Sequence, residues 1–276
     1  MTPAPIHGTV SAGFEPVREA FAGNFTARHE LGGACCIYVQ GEKVVDLWGG
    51  VRSAATGEPW EADTMVLVHS ATKGFAAMTL ALAHSRGWLD YDERVCAYWP
   101  EFAQQGKELM TVRQLLAHQG GLFAFGEPVD KDVVADLDRL AIVLARQRPE
   151  WPPGGGVGTA RAMARAYSVF ATDGHELGLR AGTLALLAAP AIPSAHGFYD
   201  EGVKGDMEYA LGFMKTCANW RFGHAGAFGA PGAGGALAFA DPQTGMAYAY
   251  VTNRMGGITG DRRDLALRRA LPPALQ

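Results

Sequence analysis

Ser70 and Lys73 stand three residues apart at the end of the apolar run Val66-Leu67-Val68-His69, a spacing that can pair a hydroxyl with an amine. In a helix beginning at Ser70 the two side chains share one face, within hydrogen-bond reach. Such a pair is a serine nucleophile with its own base. A helix N-terminus adds partial positive charge and free backbone N–H groups, which favour an alkoxide or a developing oxyanion at that spot. The competing reading makes Ser70 a plain N-cap and Lys73 a solvated first-turn residue. Lysine near a helix N-terminus is electrostatically unfavourable, which argues for a chemical reason to have it there. The spacing alone arises by chance about once in a chain of this size, so its weight depends on the surrounding elements.

Those elements form an ordinary globular pattern. The chain has 276 residues, 48% of them hydrophobic and 19% charged, enough for a substantial core in one large or two modest domains. A net charge of -4 gives no electrostatic reason to expect nucleic acid or an anionic membrane as partner. Met1 to Ser11 lacks a basic cluster followed by an apolar run, and no apolar stretch is long enough to span a bilayer, so the expected location is the cytoplasm. Cys35, Cys36, Cys96 and Cys217 lack metal-ligand or C-x-x-C spacing, and the eight histidines are scattered. Neither a metal nor a cofactor is expected. Adjacent Cys35 and Cys36 read as thiols on opposite faces of one strand.

Periodicity predicts an amphipathic helix over 12–29, then a β-hairpin of Ala34–Gln40 and Lys43–Trp48. The helix after Lys73 is apolar on nearly every side through Ser85, which predicts deep burial and a lysine whose charged form is disfavoured. Short helical pieces follow over 95–102, 111–118, with Thr111 as N-cap, and 130–146. The run Trp151-Pro152-Pro153-Gly154-Gly155-Gly156-Val157-Gly158 follows a proline pair rather than a strand and lacks a Lys-Ser or Lys-Thr ending, so it reads as a connector rather than a phosphate loop. Thr159 caps a helix to about Thr172, and 181–189 is another. Strands are predicted over 209–214, 221–226, 235–240 and 246–253, with a last helix over 261–271. Strands at both ends with helices between predict an α/β fold: an antiparallel sheet built from both termini and flanked by helices, with an inserted all-helical lobe. On this reading 1–60 and 159–276 form the α/β sandwich, and 61–158 the lobe carrying Ser70 and Lys73 at its edge.

Five stretches stand out together: Leu47-Trp48-Gly49-Gly50, Ser70-Ala71-Thr72-Lys73-Gly74, the run from Thr111 to Leu122, Gly223-His224-Ala225-Gly226 and Phe239-Ala240-Asp241-Pro242. In these the chain resembles the serine β-lactamase and penicillin-binding-protein superfamily, and within it the class C-like, family VIII carboxylesterases. The resemblance implies that Ser70 attacks an ester or lactam carbonyl while Lys73 accepts its proton. It implies that His224-Ala225-Gly226 takes the place of the sheet-edge Lys-Thr-Gly motif. The backbone N–H of Ala227 would then complete an oxyanion hole with that of Ser70.

One departure is plain. The family carries a tyrosine soon after a Pro-Gly turn, yet after Pro153-Gly154 no tyrosine follows until Tyr167, which resembles part of a later helix. The chain looks shortened between Gly154 and Thr159. Tyr199, Tyr209 and His224 are the candidates to substitute. The resemblance thus implies a serine hydrolase of short-chain carboxylic esters, with weak β-lactam hydrolysis as a side activity, acting on a small ester or amide. The alternative is a non-catalytic relative that binds a small molecule or a partner through the remaining cleft; a nucleotide-binding module on Gly154–Gly158 has no support. Oligomeric state is not legible in the sequence.

Overall fold

The computed structural model describes residues 4–120, 136–146, 156–194, 197–200, 204–257 and 260–276. The main sheet combines β1 (Ile6–Val10), β2 (Gly32–Val39), β3 (Glu42–Gly50), β8 (Tyr209–Ala210), β9 (Phe213–Lys215), β10 (Phe228–Pro231), β11 (Leu237–Asp241) and β12 (Met246–Thr252). Its order is β1-β3-β2-β12-β11-β10-β9-β8, and every neighbouring pair is antiparallel. N-terminal and C-terminal strands therefore meet at β2 and β12, from Gly33 opposite Thr252 to Val39 opposite Met246. The antiparallel sheet built from both termini is as the sequence predicts.

Side chains alternate across this sheet, and the two faces differ in size. Ala238, Ala240, Ala247, Ala249 and Cys36 point to one face, while Phe239, Tyr248, Tyr250, Cys35 and Ile37 point to the other. The alanine face lets α6 (Ala160–Ala171) lie close, burying Met163, Ala164 and Tyr167 between the sheet and the helical region. The aromatic face is covered by α1 (Glu15–Ala27) and α8 (Arg262–Arg269), through Val17, Phe21 and Leu267. Helices α2 (Thr72–Ser85), α3 (Val95–Tyr98), α4 (Val112–Leu116), α5 (Leu137–Arg146) and α7 (Ala181–Ala188) lie between the two groups of strands in the chain. A small sheet pairs β4 (Val66–His69) with β5 (Gly156–Gly158), and another pairs β6 (Tyr199–Asp200) with β7 (Gly205–Asp206).

Four local readings are corrected. β1 was not foreseen; Gly8 in its middle weakens the strand signal, and a Cβ there would sit 1.8 Å from the Asp46 carbonyl oxygen of β3. The strand predicted over 209–214 is two strands joined by Leu211 (φ 51) and Gly212 (φ 87), a left-handed pair of the kind that turns a tight hairpin. Residues 221–226 form turns, and the strand begins at Phe228. Gly156–Gly158 is a strand rather than a connector, while residues 147–155 and the predicted helix start over 130–135 lie outside the described residues.

Lys215 on β9 is 1% exposed, and its amine donates to the carbonyl oxygens of Leu187 (2.7 Å) and Gly226 (3.3 Å). Burial brings its pKa down to about 8, against a smaller opposing pull from Glu208. The folded protein thus releases this proton before the unfolded chain does. Its penalty on stability is full below about pH 8 and is relieved as pH rises toward the unfolded value near 10.4. Urea titrations of wild type and Lys215→Met at pH 7.5 and 10 are expected to show a gain of about 2 kcal/mol that only the wild type makes. Parallel behaviour of the two proteins would contradict this.

Candidate active site

The chain leaves β4 through His69, whose φ of 50° is a conformation that non-glycine residues rarely take outside strained or functional turns. Ser70 follows at once, and the turn is fixed by Ala71 N–H to Val68 O (3.1 Å) and by Thr72 Oγ1 to His69 O (2.6 Å). Helix α2 begins only at Thr72, with Ala71 as its N-cap and no side-chain capping bond. Ser70 is therefore not an N-cap: its hydroxyl instead lies 2.8 Å from Lys73 Nζ, which donates to it. Both side chains are half-buried, and burial lowers the Lys73 pKa from the ordinary lysine value. The helix is less enclosed than its composition predicts, since Ala76 and Thr79 are exposed.

Three elements close around the pair. From below, α6 brings Tyr167 against Gly74, and a Cβ on Gly74 would sit 2.0 Å from the Tyr167 hydroxyl. That hydroxyl is buried, has no hydrogen-bond partner among the described residues, and is pushed well above the usual tyrosine pKa by desolvation. From the side, β10 sets Ala230 against Gly74, where an added Cβ would meet the Ala230 methyl at 3.1 Å, and a Cβ on Gly232 would lie 2.1 Å from the Val68 carbonyl oxygen. From just beyond the end of α4 comes His118, with φ 60° and its ring stacked on Tyr209 of β8 at 4.2 Å and 2°. Burial, reinforced by the charge of Lys73, holds the His118 imidazole down to a pKa of about 3, so it is neutral at physiological pH. Beyond Tyr209 lies a cleft of about 700 Å³, lined in part by Ala117, Gln119, Leu186, Ile192 and Leu211.

The sequence-matched sheet-edge residues go elsewhere. His224 Nδ1 is held by the buried Asp241 carboxylate at 2.7 Å, and the Gly226 carbonyl accepts from Lys215. The N–H of Ala227 is already spent on His224 O (2.8 Å). Ala227 lies just before β10, three residues and roughly 10 Å of extended chain ahead of Ala230. The segment that meets Val68 and Gly74 is Ala230-Pro231-Gly232. After it, the turn is closed by Gly232 N–H to Ala236 O (2.7 Å) and Gly235 N–H to Gly232 O (3.2 Å). Among the described residues no hydrogen bond engages the N–H of Ser70 or of Ala233. A cavity of about 190 Å³ borders this turn, lined by His69, Ala233, Gly234, Asn253 and Arg254 among others.

Of the three candidates to replace the family tyrosine, Tyr199 is 51% exposed on β6 and His224 is bound to Asp241. Tyr209 stacks on His118, the imidazole that feels the charge of Lys73. The sequence offered one signal for His118, its place in the run Thr111–Leu122, but nothing that tied it to Lys73.

Known proteins resemble this chain in sequence and fold to different extents. Esterase/beta-lactamase LipL of Mycobacterium tuberculosis (strain ATCC 25618 / H37Rv) is 37% identical over 142 residues, half of this chain but only 33% of LipL. The chain thus matches about a third of that relative's length. A family VIII carboxylesterase structure superposes with a TM-score of 0.86 at 25% identity, covering 96% of this chain and 98% of the other. A penicillin-binding protein homolog from Caulobacter crescentus gives a TM-score of 0.86 at 26% identity over the same shares. The family model described as Beta-lactamase matches residues 17–158 and 154–271, two stretches that meet where the sequence looks shortened. With that match over most of its length, the chain belongs to the beta-lactamase family.

Proposed function

We propose that the protein is a serine hydrolase that cleaves small carboxylic esters through an acyl-enzyme on Ser70, with Lys73 as the base. The observation that carries this reading is the 2.8 Å contact between Lys73 Nζ and Ser70 Oγ on a strained strand-to-helix turn, with burial lowering the lysine pKa. In the first step Ser70 Oγ adds to the ester carbonyl while Lys73 takes its proton. The carbonyl oxygen becomes an oxyanion facing the N–H groups of Ser70 and Ala233, which replaces the sequence-based assignment to Ala227. Collapse of this adduct breaks the bond to the leaving alkoxide, which receives the proton from Lys73. Water then repeats the sequence on the acyl-enzyme. A neutral His118 suits this cycle, because an imidazole with pKa about 3 does not compete with Lys73 for the proton.

Ester is favoured over β-lactam because Ala230 offers no cation to the carboxylate that β-lactam antibiotics carry. Short acyl chains and a cytoplasmic setting remain parts of this proposal. The location is compatible with the described residues, in which no helix is long and apolar enough to cross a membrane. The division into a sandwich of 1–60 and 159–276 and a lobe of 61–158 is likewise proposed.

The test is a fluorophosphonate probe followed by peptide mass spectrometry. An adduct on Ser70 that is lost in Ser70→Ala is expected. Folded wild-type protein with no adduct on Ser70 would sink the reading and favour a binding protein.

A further inference from the structure

The turn that carries Ala233 closes on two backbone hydrogen bonds of its own, and a buried side chain braces it from outside. Arg263, in the first turn of α8 and 4% exposed, reaches it. Its Nη2 donates to Gly234 O (3.1 Å) and to Arg254 O (3.0 Å), which joins the β10–β11 turn to the loop after β12. Both loops line the cavity beside His69. The rest of the guanidinium is held in place by other partners: Nη1 by Glu30 Oε1 (2.9 Å) and Thr252 Oγ1 (3.1 Å), Nε and Nη2 by Asp261 (both 2.9 Å). Glu30 is tied in turn to the hydroxyls of Tyr250 and Thr252.

Asp261 presses on the same two loops. Its Oδ2 accepts from Gly257 N–H (3.2 Å), and Cβ atoms on Gly235 and Gly256 would fall 2.8 Å and 1.9 Å from that oxygen. The two stretches of backbone that flank the last hairpin, side by side at its open end, thus lie flush on one buried ion pair. A planar fork with fixed donors can serve this many acceptors at once, and a lysine cannot.

We infer that Arg263 is a positioning residue for the oxyanion-binding turn: by gripping Gly234 and Arg254 it sets the distance from the N–H of Ala233 to the carbonyl held on Ser70. The inference rests on the hydrolase reading. It assigns to the C-terminal helix, which does not line the site, control over transition-state stabilisation.

The test compares Arg263→Lys and Asp261→Asn with Arg268→Lys. Arg268 holds Asp264 and the Arg221 carbonyl on the same helix but touches neither loop, so it reports the effect of weakening α8 alone. With a p-nitrophenyl ester, Arg263→Lys is expected to lower kcat by about 10- to 100-fold with KM little changed, as a misplaced donor does. The ester carbonyl band of the acyl-enzyme should move to higher wavenumber, since its oxygen is less well hydrogen-bonded. Amide exchange in a peptide covering 232–236 should quicken by at least about ten-fold. Asp261→Asn should give the same changes in weaker form and serves if Arg263→Lys does not fold. Arg268→Lys should lower thermal stability and leave the kcat, the band and the exchange alone.

Unchanged kcat and carbonyl band in a folded Arg263→Lys would overturn the inference, as would an equal loss of kcat in Arg268→Lys. If wild type acquires an acyl group while Arg263→Lys behaves like it, only this inference fails. If wild type is never acylated, the hydrolase reading fails and takes this one with it.

Discussion

Lys73→Met is expected to slow acylation of Ser70 by about 10²- to 10⁴-fold, the usual contribution of a positioned general base. The variant keeps the apolar stem and removes only the amine, so loss of rate without loss of fold is the expected result. The pH dependence supplies a second check. Burial lowers the Lys73 pKa, so the neutral amine is populated at lower pH than in an exposed lysine. Wild-type acylation should rise with pH through an ionisation below the ordinary lysine value and then level off. In Lys73→Met that limb should vanish. His118, held near pKa 3, should add no step between pH 5 and 8. Stopped-flow acylation across pH 5 to 10 measures all of this, and a Lys73→Met profile that overlays the wild type removes lysine from the base role.

Gly74→Ala should destabilise the protein by about 2–3 kcal/mol, although the same change in an ordinary helix interior is worth about 1 kcal/mol in the other direction. The sign is decided by contact: the new methyl would meet the Tyr167 hydroxyl at 2.0 Å, and Tyr167 is fully buried between Phe75 and Phe213 with no space to retreat. Tyr167→Phe alone should be close to neutral in stability, because it removes a hydroxyl that has no partner among the described residues. It should also leave acylation intact, since that hydroxyl faces Gly74 and not the Ser70–Lys73 pair. The double variant Gly74→Ala/Tyr167→Phe should recover at least half of the loss, because the nearest remaining ring atom would be 3.1 Å away. Chemical denaturation of the four proteins completes the cycle. Additive losses in the double variant would show that the glycine is needed for a different reason.

Alternation and spacing made the sheet core legible: the β2–β3 hairpin, β11, β12 and the opposite faces of Cys35 and Cys36 all follow from a period of two. The long helices followed from their own period, and Thr159 and Thr111 cap as their positions suggest. The Ser70–Lys73 contact was legible because residues three apart need no tertiary information to meet.

The partner strand was not legible, and the reason is specific. The chain contains Phe222-Gly223-His224-Ala225-Gly226 and, six residues on, Phe228-Gly229-Ala230-Pro231-Gly232, two copies of one Phe-Gly-x-x-Gly pattern. The first carries a histidine and attracts the functional match; the second lies against Val68 and Gly74, on either side of Ser70 in the chain. What separates them is pairing, Phe228 with Lys215 and Ala240 and Pro231 with Leu237, which is long-range and absent from any local window. His118 escaped for a similar reason, because its neighbours Lys73 and Tyr209 come from distant parts of the chain.

The seam between β2 and β12 also bears on how the protein is made. During synthesis β2 waits with one edge unpaired until Met246–Thr252 has left the ribosome, so until then the N-terminal hairpin is an open template. Closing a sheet across such a separation is slow by topology. The nascent chain is therefore most exposed to mispairing just before β12 emerges, and a truncation ahead of β12 would leave that open edge permanently on display.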